Sequence, residues 1–141
     1  MASIRFILDT DTVTYQQGGR PNVIRRLSEV APDTVATTVI TLYEQLRGRL
    51  AAVNRQQDDQ ARQLAYRRLQ ETHGYFCRVP VLSFDAEAAA TYRSLVSQSL
   101  RIGSQDLQIA AIALAHNAVL VTSNRRHFDQ IPGLVIEDWN T

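Results

Sequence analysis

Residues 101–124, "RIGSQDLQIAAIALAHNAVLVTSN", decide the fold, because three segments of different character follow one another there. "RIGSQ" reads as a loop. "DLQIAAIALAHN" at 106–117 reads as a helix whose interior is almost wholly apolar, so it must pack against a sheet. "AVLVTSN" at 118–124 is a continuous branched run ending in polar residues, the pattern of a strand covered on both faces. Helices alternating with such strands build an α/β protein around a mainly parallel sheet.

Working outward, "IRFIL" at 4–8 is a second buried strand, stopped by "DTD". "RPNVIRRLSEV" at 20–30 predicts an amphipathic helix with Val23, Ile24, Leu27 and Val30 on one face, ending near Ala31 and Pro32. "DTVATTV" predicts a short strand, after which Thr37, Thr38 or Thr41 caps a helix carrying Leu42, Leu46 and Leu50. The polar run 54–76 reads as one long solvated helix with a narrow stripe of Leu64, Ala65 and Leu69. "VPVLSFD" at 79–85 is a further strand, and 86–100 a helix with Leu95 and Val96 inward. "GLVIEDW", after the "IPG" turn, makes a last short strand.

The chain of 141 residues fits one domain, spanning 1–141. Hydrophobic residues at 45% and charged residues at 21% exclude a disordered chain. Apolar stretches are far shorter than the ~20 residues of a membrane span, and "MASIRF" lacks a secretory apolar core, so a cytoplasmic protein with no membrane partner is expected. The lone Cys77 cannot form an internal disulfide and reads as a small half-buried hydrophobe. The net charge of +1 does not announce nucleic acid. All 15 basic residues are Arg, which suits a phosphodiester partner and follows equally from codon composition.

The acids carry the chemistry. In open parallel sheets the ligand lies beyond the carboxyl ends of the strands. Asp9 closes the first strand, Glu44 lies in the helix after the second, Asn124 follows "AVLVT", and Asp106 heads a helix aimed at the same edge. Carboxylates brought together repel and raise one another's pKa unless a cation sits between them. An all-oxygen set favours Mg2+ or Mn2+ over zinc, and such an ion supports phosphodiester hydrolysis. Each acid also has a plain alternative: Asp106 as an N-cap, Asp9 as a turn residue, Glu44 on a wet helix face.

"FILDTDTVTY", "TTVITLYEQLRGRL", "IGSQDLQIAAIALAHNAVLVTSNRRHF" and "IPGLVIEDW" together resemble, in order and spacing, the PIN domain in its VapC-type toxin branch, over Ile4 to Trp139. The resemblance implies a three-layer α/β/α PIN-like fold with a central mainly parallel sheet. It also implies an endoribonuclease dependent on Mg2+ or Mn2+, the toxin of a toxin–antitoxin pair. The implied partners are tRNA or ribosomal RNA, a cognate antitoxin protein and a second copy in a homodimer. Asp9, Glu44 and Asp106 match the family's three acids and so its metal ligands. Asn124 matches the fourth site, where it would orient a water or phosphate oxygen. Asp11 either adds a carboxylate to the pocket or caps the next turn.

Arg47, Arg49, Arg125 and Arg126 are the candidate phosphate-binding residues, against plain surface charge. His127 is within reach of the site, though a histidine in "RRHF" reads first as a surface ring, and Phe128 is expected as a core anchor. "FILDTDTV" also resembles the opening of haloacid-dehalogenase-like phosphatases, with Asp9 as nucleophile and Asp11 as acid, but no Lys and no late acid pair follow. A PIN-like binding module without turnover is the third reading.

Overall fold

Strand β1 (Phe6–Leu8) alternates its side chains between two faces, and the rest of the molecule is sorted by that alternation. The computed structural model describes residues 3–141. The chain continues through α1 (Thr10–Gln17), α2 (Pro21–Ser28), a single 3-10 turn at Pro32–Thr34, β2 (Val35–Thr38), α3 (Val39–Arg55) and α4 (Asp59–Arg78). It ends with β3 (Val81–Leu82), α5 (Ala86–Val96), α6 (Ser104–Ala115), β4 (Val119–Val121), α7 (Arg125–Phe128) and β5 (Ile136–Glu137).

The five strands form one sheet in the order β3-β2-β1-β4-β5, and every pairing is parallel. Ile7 and Leu120 project into a core closed by α5 and α6, whose Ala88, Ala110, Ala111 and Ala113 let helix and sheet approach closely. Phe6, Leu8 and Val121 project the other way, onto Val13 of α1, Val23 of α2, Tyr75 of α4 and Trp139. Period-two strands between two helical layers thus give the expected α/β/α sandwich. β1 is central, with β2 on one side and β4 on the other, so the chain reverses its direction of travel across the sheet there. The crevice at such a reversal is where an open α/β sheet receives ligands.

Several elements differ from the sequence reading. Residues 10–17, "TDTVTYQQ", show no apolar stripe and are nevertheless helical. Asp9 caps them through the Thr12 N–H, and Val13 is fully buried, so tertiary contacts override weak propensity. α2 stops at Ser28, short of Ala31, and Thr38 is the residue that caps α3. The polar run from 54 is broken: α3 ends at Arg55, and Asp58 caps a new helix through the Ala61 N–H at 2.8 Å. The inward face of α4 carries Ala65, Thr72 and Tyr75, leaving Leu64 exposed, as is Leu50 of α3.

α6 begins at Ser104 with Gly103 as N-cap, which puts Asp106 inside the first turn and frees its carboxylate from capping. The short α7 after Asn124 carried no periodic signal. Cys77 is exposed on α4, its Sγ 3.7 Å from His73 Nε2, whereas Phe128 is buried as expected. Among the described residues no helix is long and apolar enough to cross a membrane.

Leu95 is buried in α5, seven residues after Ala88 and so on the same face, while Val96 turns outward at 48% exposure. Ile112→Ala, at a fully buried site in α6, is therefore expected to cost about 2–5 kcal/mol, and Val96→Ala within about 0.5 kcal/mol of zero, by urea denaturation.

Candidate active site

The site begins where β1 and β4 run out together. The pairing Leu8↔Val121 continues one residue further, with the Asp9 N–H donating to the Val121 carbonyl at 3.1 Å, so the Asp9 side chain is held beside Thr122. Asp9 is only 5% exposed. Its Oδ1 accepts the Thr12 N–H at 2.9 Å, and the Thr122 hydroxyl also steadies the charge. Burial outweighs these bonds and pushes the carboxyl up to about 6, with the nearby Asp11 adding to the rise.

Asp106 faces the same crevice from α6. Burial raises its pKa, His127 opposes the rise, and the Asp11 charge adds to it. Asp11 is exposed in the first turn of α1 and its charge adds to the rise at both acids, while Asp9 caps the helix. Glu44 is tied in through hydroxyls: Thr10 Oγ1 donates to Glu44 Oε1 at 2.7 Å and lies 3.0 Å from Thr41 Oγ1. Asn124 hangs on Thr122, its N–H donating to Thr122 Oγ1 at 3.0 Å. Its side-chain nitrogen lies 2.9 Å from His127 Nδ1, which is itself 3.8 Å from Asp106 Oδ2.

Sequence reasoning missed Thr10, Thr12 and Thr122 as members of this constellation, and held His127 as within reach while favouring the surface. The "RRHF" histidine was expected at the surface; α7 instead folds it back over Asp106. The threonines had one available signal, their density around the acid in "LDTDTVT", but hydroxyls are common in turns and gave no reason to prefer a site.

No arginine forms an ion pair with Asp9, Asp11, Glu44 or Asp106 among the described residues; the arginine pairs are with Glu29, Asp59 and Glu137. A buried carboxylate with no ion-pair partner among the described residues, facing the charge of Asp11, is a donor that fits a hard divalent cation. Among the described residues no three acidic, imidazole or thiol groups stand close enough to hold a metal ion, so the three-acid pocket expected from the sequence is not preformed. Mg2+ in particular keeps several waters, which bridge such gaps.

Of the candidate phosphate-binding arginines, Arg125 and Arg126 are exposed and follow Asn124 directly. Arg47 lies over the Tyr43 ring on α3. Arg49 donates to Thr72 Oγ1 at 3.0 Å and lines a groove of about 680 Å3 with Arg68, Tyr75 and Arg78, which none of the four acids lines.

The "PIN domain" family model matches residues 6–134. The "tRNA(fMet)-specific endonuclease VapC" of Salmonella typhimurium is 29% identical over 96% of this chain and 98% of its own length. "Ribonuclease VapC1" of Haemophilus influenzae is 34% identical over 95% of this chain and 97% of its own. The solved structure of VapBC-1 from nontypeable Haemophilus influenzae superposes with a TM-score of 0.78 at 28% identity, covering 98% of this chain and 100% of that one.

Asp9 holds its proton up to about pH 6 in the fold but ionises near 3.8 as an ordinary carboxyl. The stability it contributes is therefore complete below the lower value and lost as pH rises through the upper, a cost of about 3 kcal/mol to the metal-free fold at neutral pH. Asp9→Asn keeps an oxygen for the Thr12 N–H and is expected to be more stable than the parent by about 1–3 kcal/mol near pH 7.5 in chelator, with no difference near pH 3.5. Denaturant titrations at the two pH values check this.

Proposed function

The chain belongs to the PIN domain family, and from that membership we propose that it is a metal-dependent endoribonuclease, the toxin of a toxin–antitoxin pair, with residues 1–141 as its single domain. The observation that carries the reading is Asp9: a carboxylate buried at the carboxyl end of the central strand, with no ion-pair partner among the described residues, its charge made costlier by Asp11, which acts on Asp106 as well. The relatives named ribonuclease and endonuclease VapC support the RNA substrate, and a structured RNA such as tRNA is the proposed target. The likeness to VapBC-1 and the toxin-branch motifs support an antitoxin protein as partner. The homodimer implied by the resemblance has, as support, exposed apolar residues on α3 and α4: Tyr43, Leu50, Leu64 and Tyr66.

Asp9 and Asp106 are the proposed ligands of Mg2+ or Mn2+, with Glu44 reaching the ion directly or through a water. Bound there, such an ion acidifies a water and draws charge from a phosphate oxygen. The residues of the chain do the rest. Thr12 and Thr122 fix the Asp9 carboxylate in one orientation, and Thr10 does the same for Glu44. Arg125 and Arg126 offer salt-sensitive contacts to the RNA backbone at the rim. The phosphatase alternative loses its ground, since the family is PIN and among the described residues no arginine pairs with Asp9 to steady a phospho-intermediate.

Incubated with Mg2+ and total RNA, the protein is expected to give discrete cuts that chelator abolishes and that Asp9→Asn and Asp106→Asn lack while remaining folded. Cuts of parental intensity from either variant overturn the assignment, and release of phosphate from a small phosphomonoester alone overturns the reaction class. Thr10→Val, which frees Glu44 without removing it, is expected to raise the Mg2+ needed for half-maximal cleavage about ten- to a hundredfold, measured by metal titration.

A further inference from the structure

The groove of about 680 Å3 between the far end of α1, α3 and α4 is cationic. Arg49, Arg68 and Arg78 line it with Glu71 as the one acid, and among the described residues none of the four forms an ion pair. Arg49 is held in place: its Nε donates to the buried Thr72 hydroxyl at 3.0 Å, which leaves both Nη groups without a protein partner among the described residues. In the same groove the Tyr75 hydroxyl donates to Gln16 Oε1 at 2.6 Å, so the amide nitrogen of Gln16 remains as a further donor. Ile24 is the one aliphatic side chain in the lining.

A polar seam joins this groove to the acidic crevice. α1 and α3 both start at the carboxyl edge of the sheet, capped by Asp9 and Thr38. At that edge Thr10 donates to Glu44; one turn further along α1, Thr14 Oγ1 accepts from Gln45 at 3.1 Å, and two turns further Gln17 donates to Gln45 Oε1 at 2.9 Å. Thr14 and Gln17 then line the groove. At about 1.5 Å of rise per residue the groove lies about 12 Å from Asp9, the span of three to four stacked nucleotides at about 3.4 Å each. On this geometry, and resting on the ribonuclease reading above, we propose that the groove binds the phosphate backbone of the RNA strand that runs on from the cleaved bond, with Arg49, Arg68 and Arg78 as its phosphate-binding residues. The guanidinium fork matches phosphate oxygens, and at this distance it holds the polyanion without neutralising the carboxylates that hold the ion. A protein segment would bring apolar side chains to the centre of its interface, and Ile24 alone would receive them.

The double variant Arg68→Gln/Arg78→Gln removes two exposed guanidiniums that make no hydrogen bond among the described residues, so its urea midpoint is expected to match the parent's. Arg5→Gln/Arg93→Gln removes the same charge from the amino end of β1 and from α5, and serves as the control. In filter binding of unfractionated tRNA in chelator, the groove variant is expected to bind about ten- to a hundredfold more weakly and the control within about twofold of the parent. The slope of log affinity against log salt should fall by about 0.7–0.9 for each groove arginine removed. With Mg2+ the KM for the same tRNA should rise in the groove variant while kcat stays within about twofold, since these contacts are made equally before and during the reaction.

Three results overturn the proposal while the ribonuclease reading stands: tRNA binding by the groove variant within about twofold of the parent, an equal loss in the control, or retained tRNA binding with loss of an oligoglutamate peptide that the parent binds, which would make the groove a site for an acidic protein segment. A parent that binds tRNA through the groove and cuts no RNA with Mg2+ removes the ribonuclease reading and leaves the groove as an RNA site.

Discussion

The burial of one carboxylate organises this molecule. Asp9 sits where the central strand ends, its backbone still on the ladder to β4 and its side chain closing the first turn of α1. A single residue thus links the sheet, the helix that follows and the acidic crevice. Its ionised form is costly in that position, and the surrounding hydroxyls offset only part of the cost. A fold optimised for stability alone would place an amide or an arginine pair there. Keeping a strained charge at the switch point of the sheet makes sense for a site completed by a cation.

The crevice is built with hydroxyls where many ion-binding folds use further charges. Thr10 and Thr41 steady Glu44, Thr12 ties α1 to the Val121 carbonyl at 3.0 Å, and Thr122 serves both Asp9 and Asn124. Hydroxyls orient a carboxylate without neutralising it, so the field of Asp9, Asp11 and Asp106 stays available to a ligand. Among the described residues no arginine pairs with those acids: Arg20, Arg47 and Arg26 stack on Tyr15, Tyr43 and Trp139, and Arg25, Arg26 and Arg62 pair with Glu29, Glu137 and Asp59. In a chain with 15 arginines and 14 acids that separation is a feature of the fold and not of the composition.

The two sides of the crevice differ in rigidity. Asp9 and Thr122 stand on paired strands, and α6 is held by a nearly all-apolar surface. Asn124 precedes, and His127 lies in, a four-residue helix whose core anchor is Phe128, so their mutual contact and the tie to Thr122 hold them in place. Asp9 and Asp106 are therefore fixed by the sheet and the helix packed on it, and Asn124 and His127 by local hydrogen bonds.

By itself the sequence determined the layers and the edge. Continuous branched runs at 4–8 and 118–124 could only be strands covered on both faces, and the apolar helix between 106 and 117 had to cover one of them; from this the gathering of Asp9, Glu44, Asp106 and Asn124 at one end of the sheet follows. Periodicity carries that information because burial is what writes it. It was silent about α1 and α7, which have no apolar stripe and are held by a cap, one buried valine or one buried phenylalanine. It was silent about the threonines and left His127 between site and surface, since a hydroxyl or an imidazole shows no preference for a site until its partners, far along the chain, are brought to it. Only the folded arrangement, pairing residue 10 with 44 and 127 with 106, decided which polar groups share the crevice, because those contacts are long-range and leave no local trace.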